Sequence, residues 1–208
     1  MARCHPSPAP GTRSRILTTA ADEFGARGFA ATTVDRIARR ARVNKAMIYY
    51  HFPSKRALYT AIVREHFTPI IEKLAAITAG PAPPDQQLDR LIKTLVESID
   101  ASKPFLPIFL REIADGAVHL GTEELALLAG IFGTVRGVIA EGTREKVFQP
   151  IHPALAHFTI IAPVIMFRAT APVRARIEAE RGVVIPDADP PTVVKHLQMV
   201  ARRMLAPL

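Results

Sequence analysis

The chain has no tryptophan, three tyrosines and one cysteine, Cys4, among its 208 residues. A single cysteine excludes an intramolecular disulfide and any cysteine-rich zinc site, and fits a reducing cytosol. Long hydrophobic runs are missing too. The longest, Phe158 to Phe167, contains Pro163 and falls far short of the roughly 20 residues that span a bilayer, so no membrane helix is expected. The opening residues, MARCHPSPAPG, contain no apolar segment of the kind a secretory signal needs. Residues 1–11 are expected to form a disordered tail whose Arg3 and His5 could brush a polyanion, leaving a cytoplasmic protein.

Catalytic and cofactor signatures are absent as well. There is no G-x-S-x-G, H-E-x-x-H, G-x-G-x-x-G or phosphate-binding P-loop, and no histidine follows a glutamate by three positions. His152 and His157 are five residues apart, on different faces of a helix. Neither an enzyme, a cofactor nor a metal is expected.

Acidic residues are scarce in one place only. Residues 1–56 hold eleven Lys or Arg against Asp22, Glu23 and Asp35, so their net charge of +8 equals that of the whole chain. The remainder balances sixteen cations with sixteen acids. A basic quarter on a neutral body points to one module that faces a polyanion.

Within that quarter, TTVDRIARRARVNKAMIYYHFPSKRAL at 32–58 has the pattern of two short helices around a tight turn, followed by a third. Thr32 and Asp35 have capping-box spacing, and Ile37, Ala38 and Ala41 stripe the first helix. Arg42-Val43 is the turn and Asn44 the cap of the next helix, Lys45 to His51. That helix is expected to bury Ile48 and turn Lys45, Met47, Tyr49, Tyr50 and His51 outward. A short helix presenting such side chains suits a DNA major groove. Tyr49 and Lys55 suit phosphates, Lys45, Met47 and His51 suit base edges, and Tyr50 suits either. Thr33 and Asn44 can present helix N-termini to phosphates.

Residues 12–67 resemble the DNA-binding domain of the TetR family of bacterial transcriptional regulators. The residues that carry the likeness are Ile16, Leu17, Ala20, Ala21, Phe24, Gly28 and Phe29, then Thr32-Thr33-Val34, Ile37-Ala38, Ala41 and Val43. Lys45, Ile48-Tyr49-Tyr50-His51-Phe52, Ser54-Lys55 and Ala57-Leu58 complete it. Arg42 stands where the family usually has glycine, which implies a left-handed backbone there. Ala46-Met47 replaces a small residue followed by Thr or Ser, so base preference does not transfer. The expected DNA-contacting set is Thr33, Asn44, Lys45, Ala46, Met47, Tyr49, Tyr50, His51 and Lys55.

Helical periodicity continues to the C-terminus with no strand pattern. The first helix stops at Gly28, and Ser54 opens a long helix to about Thr78 that links the basic module to the body. GPAPPD at 80–85 is a loop. Helices are expected at 86–101, 104–115, 122–145, 153–170 and 191–205, with 171–191 partly irregular. The fold is therefore all-α, with a helix-turn-helix domain over 12–53 and a larger helical bundle over 54–208. Leu155, Phe158, Ala162, Ile165 and Ala169 form one seam, and Val193, Leu197, Val200 and Met204 another. Either could be core; the resemblance implies that the last two long helices pair into an intersubunit four-helix bundle. It also implies a small-molecule pocket in the body, among Phe67, Ile71, Leu95, Ile99, Phe105, Phe109, Ile113, Phe132, Val135 and Ile139.

These expectations add up to a homodimeric, ligand-responsive regulator, a repressor released from double-stranded operator DNA by an unknown effector. The alternative is a basic architectural DNA-binding protein without an effector, which would bind any duplex equally.

Overall fold

Helix α1 (Thr12–Ala31) buries Ile16, Leu17, Ala20 and Phe24 on one face and breaks at Gly28, where φ is +78°. The Thr32 hydroxyl donates to the carbonyls of Glu23 (3.1 Å) and Gly28 (2.8 Å), two acceptors on the C-terminal stretch of that helix. Thr32 is thus fully buried, and the capping role expected of it falls to its neighbour. Thr33 opens α2 (Val34–Ala41) by accepting from the Arg36 N–H. α3 (Lys45–His51) follows, and Ser54 caps α4 (Lys55–Thr78) through the Ala57 N–H at 3.0 Å.

The computed structural model describes residues 11–101 and 104–207. Apart from Gly11, the expected N-terminal tail, with Arg3, Cys4 and His5, lies outside the described residues. The body comprises α5 (Pro84–Ala101), α6 (Leu106–Ala114), α7 (Thr122–Arg144), α8 (Pro153–Ala169), α9 (Ala171–Arg181) and α10 (Pro190–Leu205). Among the described residues these ten helices are the only regular elements. Prolines explain several boundaries: α6, α8, α9 and α10 each have one in the first two positions, where its missing N–H costs nothing. Pro172 thus starts α9 inside the stretch expected to be partly irregular, and within it only 182–189 lacks helix.

α4 is the axis of the molecule, packed on α1 at one end and on α5 and α7 along the rest. Leu58 and Leu74 near its two ends are fully buried. Pro69 sits in its interior and offers no N–H to the Glu65 carbonyl. α10 packs on α5, and α8 on α7 and α5. α7 is long and apolar enough to cross a bilayer, but Ile131, Val135, Val138 and Ile139 are buried in the bundle.

Candidate DNA interface and ligand cavity

The turn between α2 and α3 is built on Arg42, with φ +53° and ψ +46°. Its N–H donates to the Arg39 carbonyl (3.2 Å), and the Val43 N–H reaches back to Ala38 (3.0 Å). This paired closure of a helix end requires a left-handed residue between the two bonds. Asn44 then starts α3 by accepting from the Met47 N–H at 2.7 Å. Ile48 anchors α3 in the core. Lys45, Ala46, Tyr49 and Tyr50 are exposed, and Thr33 and Asn44 flank them at the surface.

Three expected contact residues sit differently. Met47 is partly buried against the core, and His51 is half-buried with its Nε2 lacking a partner among the described residues. Lys55 turns inward: its Nζ donates to the Thr32 carbonyl (2.8 Å) and lies over the Phe29 ring, and burial lowers its pKa. It ties α4 to the end of α1 rather than reaching out to a phosphate.

Part of the basic surplus is likewise structural. Glu23, almost wholly buried, accepts from Arg36 Nε and Arg40 Nη1, each at 2.6 Å, with Arg27 3.4 Å away. Burial works to raise its pKa, but the hydrogen bonds from Arg40 and Arg36 outweigh this and leave it lowered. Lys45 pairs with Asp35 at 2.9 Å while remaining at the surface.

The joint between the basic module and the body is made by α6 and the segment after it. Arg111 inserts its guanidinium among the carbonyls of Phe24, Gly25 and Ala26, the end of the first straight segment of α1. The neighbouring Glu112 is buried and accepts from the Tyr59 hydroxyl at 2.6 Å; His119 Nδ1 lies 2.7 Å from the same oxygen. Arg64 on α4 bonds Glu124 on α7 at 2.7 Å.

The other face of α6 borders a cavity of about 470 Å³. Of the expected pocket residues, Phe67, Leu95, Ile99, Phe105, Phe109, Ile113 and Phe132 line it. Val135 and Ile139 are instead buried elsewhere in the core, and Ile71 contacts that core without reaching the cavity wall. Residues missed from sequence include His66, Ile70 and Ser98 from α4 and α5, and His157 and Ile161 from α8. The helical period places His66 and Ile70 one turn apart beside Phe67, the one signal that could have found them.

The two seams expected at a subunit interface divide. Leu155 and Phe158 are 65% and 61% exposed, the pattern of an outward face. Ala162, Ile165, Ala169, Val193, Val200 and Met204 are half-buried. Leu197 is buried within its own subunit, so it belongs to the core rather than to an outward seam. Phe158 and Ile165 also line the cavity.

A short helix turned outward from a tight turn, on a basic module hinged to a cavity-bearing bundle, defines a helix-turn-helix transcriptional regulator. Residues 16–62 match the family model described as bacterial regulatory proteins, tetR family. The chain is 34% identical over 144 residues to the HTH-type transcriptional repressor KstR2 of Rhodococcus jostii (strain RHA1), covering 67% of this chain and 69% of that protein. It is 28% identical over 178 residues to the HTH-type transcriptional regulator RutR of Escherichia coli (strain K12), covering 84% and 81%. A bacterial regulatory protein of the tetR family from Rhodococcus RHA1 shares the fold with a TM-score of 0.75 at 21% identity, over 96% of this chain and all of that one. The chain belongs to the TetR family.

Proposed function

We propose that this regulator is a cytoplasmic homodimeric repressor that leaves its operator when a small molecule fills the cavity beside α6. Residues 12–53 form the DNA-binding domain, and residues 54–208 the effector-binding and dimerisation domain. Thr33, Asn44, Lys45, Ala46, Tyr49 and Tyr50 meet the duplex, with Met47 and His51 behind them. In the dimer, two copies of α3 enter successive major grooves about 34–36 Å apart. The exposed faces of α8 and α10 carry the pairing. The relative KstR2 is named a repressor, which favours repression over activation.

One observation supports ligand control above the rest. Leu106, Phe109 and Ile113 of α6 wall the cavity, while Arg111 and Glu112 of the same helix grip α1 and Tyr59. A ligand that prefers one position of α6 therefore prefers one position of the DNA-binding domain. Operator affinity falls only by that differential binding energy.

Selection from random duplexes, followed by fluorescence anisotropy, tests the reading. Enrichment of a near-palindrome with half-sites one helical turn apart, and its release by compounds that raise the melting temperature, is the expected result. Equal binding to every duplex would instead favour the architectural alternative.

A further inference from the structure

The effector reading leaves open what the cavity holds, and its walls restrict the answer. Of the eighteen residues that line it, none is Asp, Glu, Lys or Arg; the polar ones are His66, Ser98 and His157. Burial lowers the pKa of His66 to about 4 and depresses that of His157, so both rings are neutral at physiological pH. A carboxylate or ammonium entering here would lose its hydration without meeting an opposite charge among the described residues.

The described surroundings do not supply that charge. The cavity shares Ile99 and Leu106 with an outer cleft of about 1010 Å³, where Asp100, Asp187 and Asp189 accompany Arg168. Arg168 already donates to Asp100 (3.0 Å) and to the Ala188 carbonyl (2.9 Å). Among the described residues the cleft is therefore acidic on balance, and its one arginine is engaged.

Shape and hydrogen bonding narrow the class further. Five phenylalanines line the cavity: Phe67, Phe105, Phe109, Phe132 and Phe158. The His66 ring stacks on Phe105 with centroids 3.9 Å apart, and His157 stands edge-on to Phe132 and Phe158. Flat rings favour a flat guest. The volume is about three times the 150 Å³ that admits benzene. His157 is only 9% exposed and its Nδ1 has no partner among the described residues. A neutral imidazole has one donor and one acceptor to satisfy. Ser98 donates to the Thr94 carbonyl at 2.7 Å, which leaves its oxygen lone pairs free to accept.

We infer that the cavity takes a neutral, flat molecule of three or four fused rings with one hydroxyl or carbonyl group, and that His157 pairs with that group. This rests on the effector reading proposed above.

Three matched fluorescent probes test it on the full chain at neutral pH: anthracene, anthracenemethanol and anthracenecarboxylate. Anthracenemethanol should bind about 3- to 10-fold more tightly than anthracene, the worth of one hydrogen bond. The carboxylate should bind at least tenfold more weakly than the alcohol. In His157→Phe the alcohol should lose its advantage over anthracene, both probes being measured on the same variant; circular dichroism checks the fold, and His157→Leu, which also lacks a hydrogen-bonding side chain, serves if the first variant does not fold. A carboxylate that binds as well as the alcohol, failure of all three probes to bind, or a preference that survives His157 replacement would overturn the inference. Labelled operator in the same titrations separates this from the parent reading. A carboxylate that binds best and releases DNA overturns the neutral-ligand class but leaves effector control standing; alcohol binding with unchanged operator affinity does the reverse.

Discussion

The Tyr59 hydroxyl donates a 2.6 Å hydrogen bond to Glu112, joining the helix that follows the helix-turn-helix to the helix that walls the cavity. Both residues are buried, and burial, then the carboxylate, raises the tyrosine pKa. Tyr59→Phe removes a bond to a charged acceptor and leaves Glu112 with His119 alone. A loss of about 1.5–3 kcal/mol in urea denaturation is expected. Stability within a few tenths of wild type would mean that this bond contributes little to the joint.

Arg42 is expected to be a site where glycine is tolerated or better. A side chain in the left-handed region costs about 1–2 kcal/mol, and glycine gives back about 0.4–1 kcal/mol through its freer unfolded chain. Arg42→Gly should therefore match or slightly exceed wild-type stability. Chemical denaturation of the two proteins side by side decides this, and a loss above about 1 kcal/mol contradicts the left-handed turn.

Lys45 and Lys55 should separate in the salt dependence of operator binding. Lys45→Ala is expected to weaken binding and lower the slope of log K against log salt by about 1 if its ammonium meets a phosphate, whereas a base contact would lower affinity alone. Lys55→Met should leave the slope unchanged and lower the melting temperature, because its ammonium holds the Thr32 carbonyl. The opposite pattern would exchange their roles.

Leu155 and Leu197 distinguish interface from core. Leu155→Glu should yield a folded monomer by sedimentation velocity, since the side chain points away from its own subunit. Leu197→Glu places a carboxylate in the subunit core and should unfold the chain, with a cost of several kcal/mol. A Leu155→Glu protein that sediments as the wild-type dimer removes the α8 face from the interface.

His66 predicts a stability that falls with acidification. The unfolded imidazole takes up its proton near pH 6.5, whereas the folded one resists until about pH 4. Between those values the unfolded state binds more protons, so stability decreases as pH drops through this window and its contribution levels off below it. The shift corresponds to about 3 kcal/mol at 1.36 kcal/mol per unit. His66→Phe should flatten this part of the profile in denaturation curves collected from pH 7 to pH 4.

What could be read before folding was whatever depends on neighbours along the chain. Asn44, Ser54, Gly28 and the prolines determine caps and breaks locally, so the helix order and the two-helix turn follow from them. Which side of a helix meets which partner does not. Lys55 is basic in sequence, but its direction depends on carbonyls more than twenty residues away. Leu197 and Val200 share a periodic stripe, yet where α10 packs on α5 the first is buried and the second only half-buried. Thr32 and Thr33 differ by one position, and the break at Gly28 selects which one caps. The cavity escaped in part for the same reason: His157 and Ile161 lie on a helix whose stripe could be core or interface, and its packing on α7 and α5 shows which of its residues face inward.

Pro69 gives α4 an uneven stiffness. It lies between Phe67 and Ile70, both in the cavity wall, and releases the carbonyl of Glu65, whose carboxylate is held by Arg13 of α1. A helix that lacks one rung of its hydrogen-bond ladder bends at that rung more readily than elsewhere. The compliant point of the connecting rod thus coincides with the place where a bound molecule would press, one turn from an anchor on the DNA-binding side. The two halves of α4 need not swing as one rigid bar, and if a ligand fills the cavity as proposed, the angle between them would be the coordinate that carries its occupancy to the spacing at the DNA.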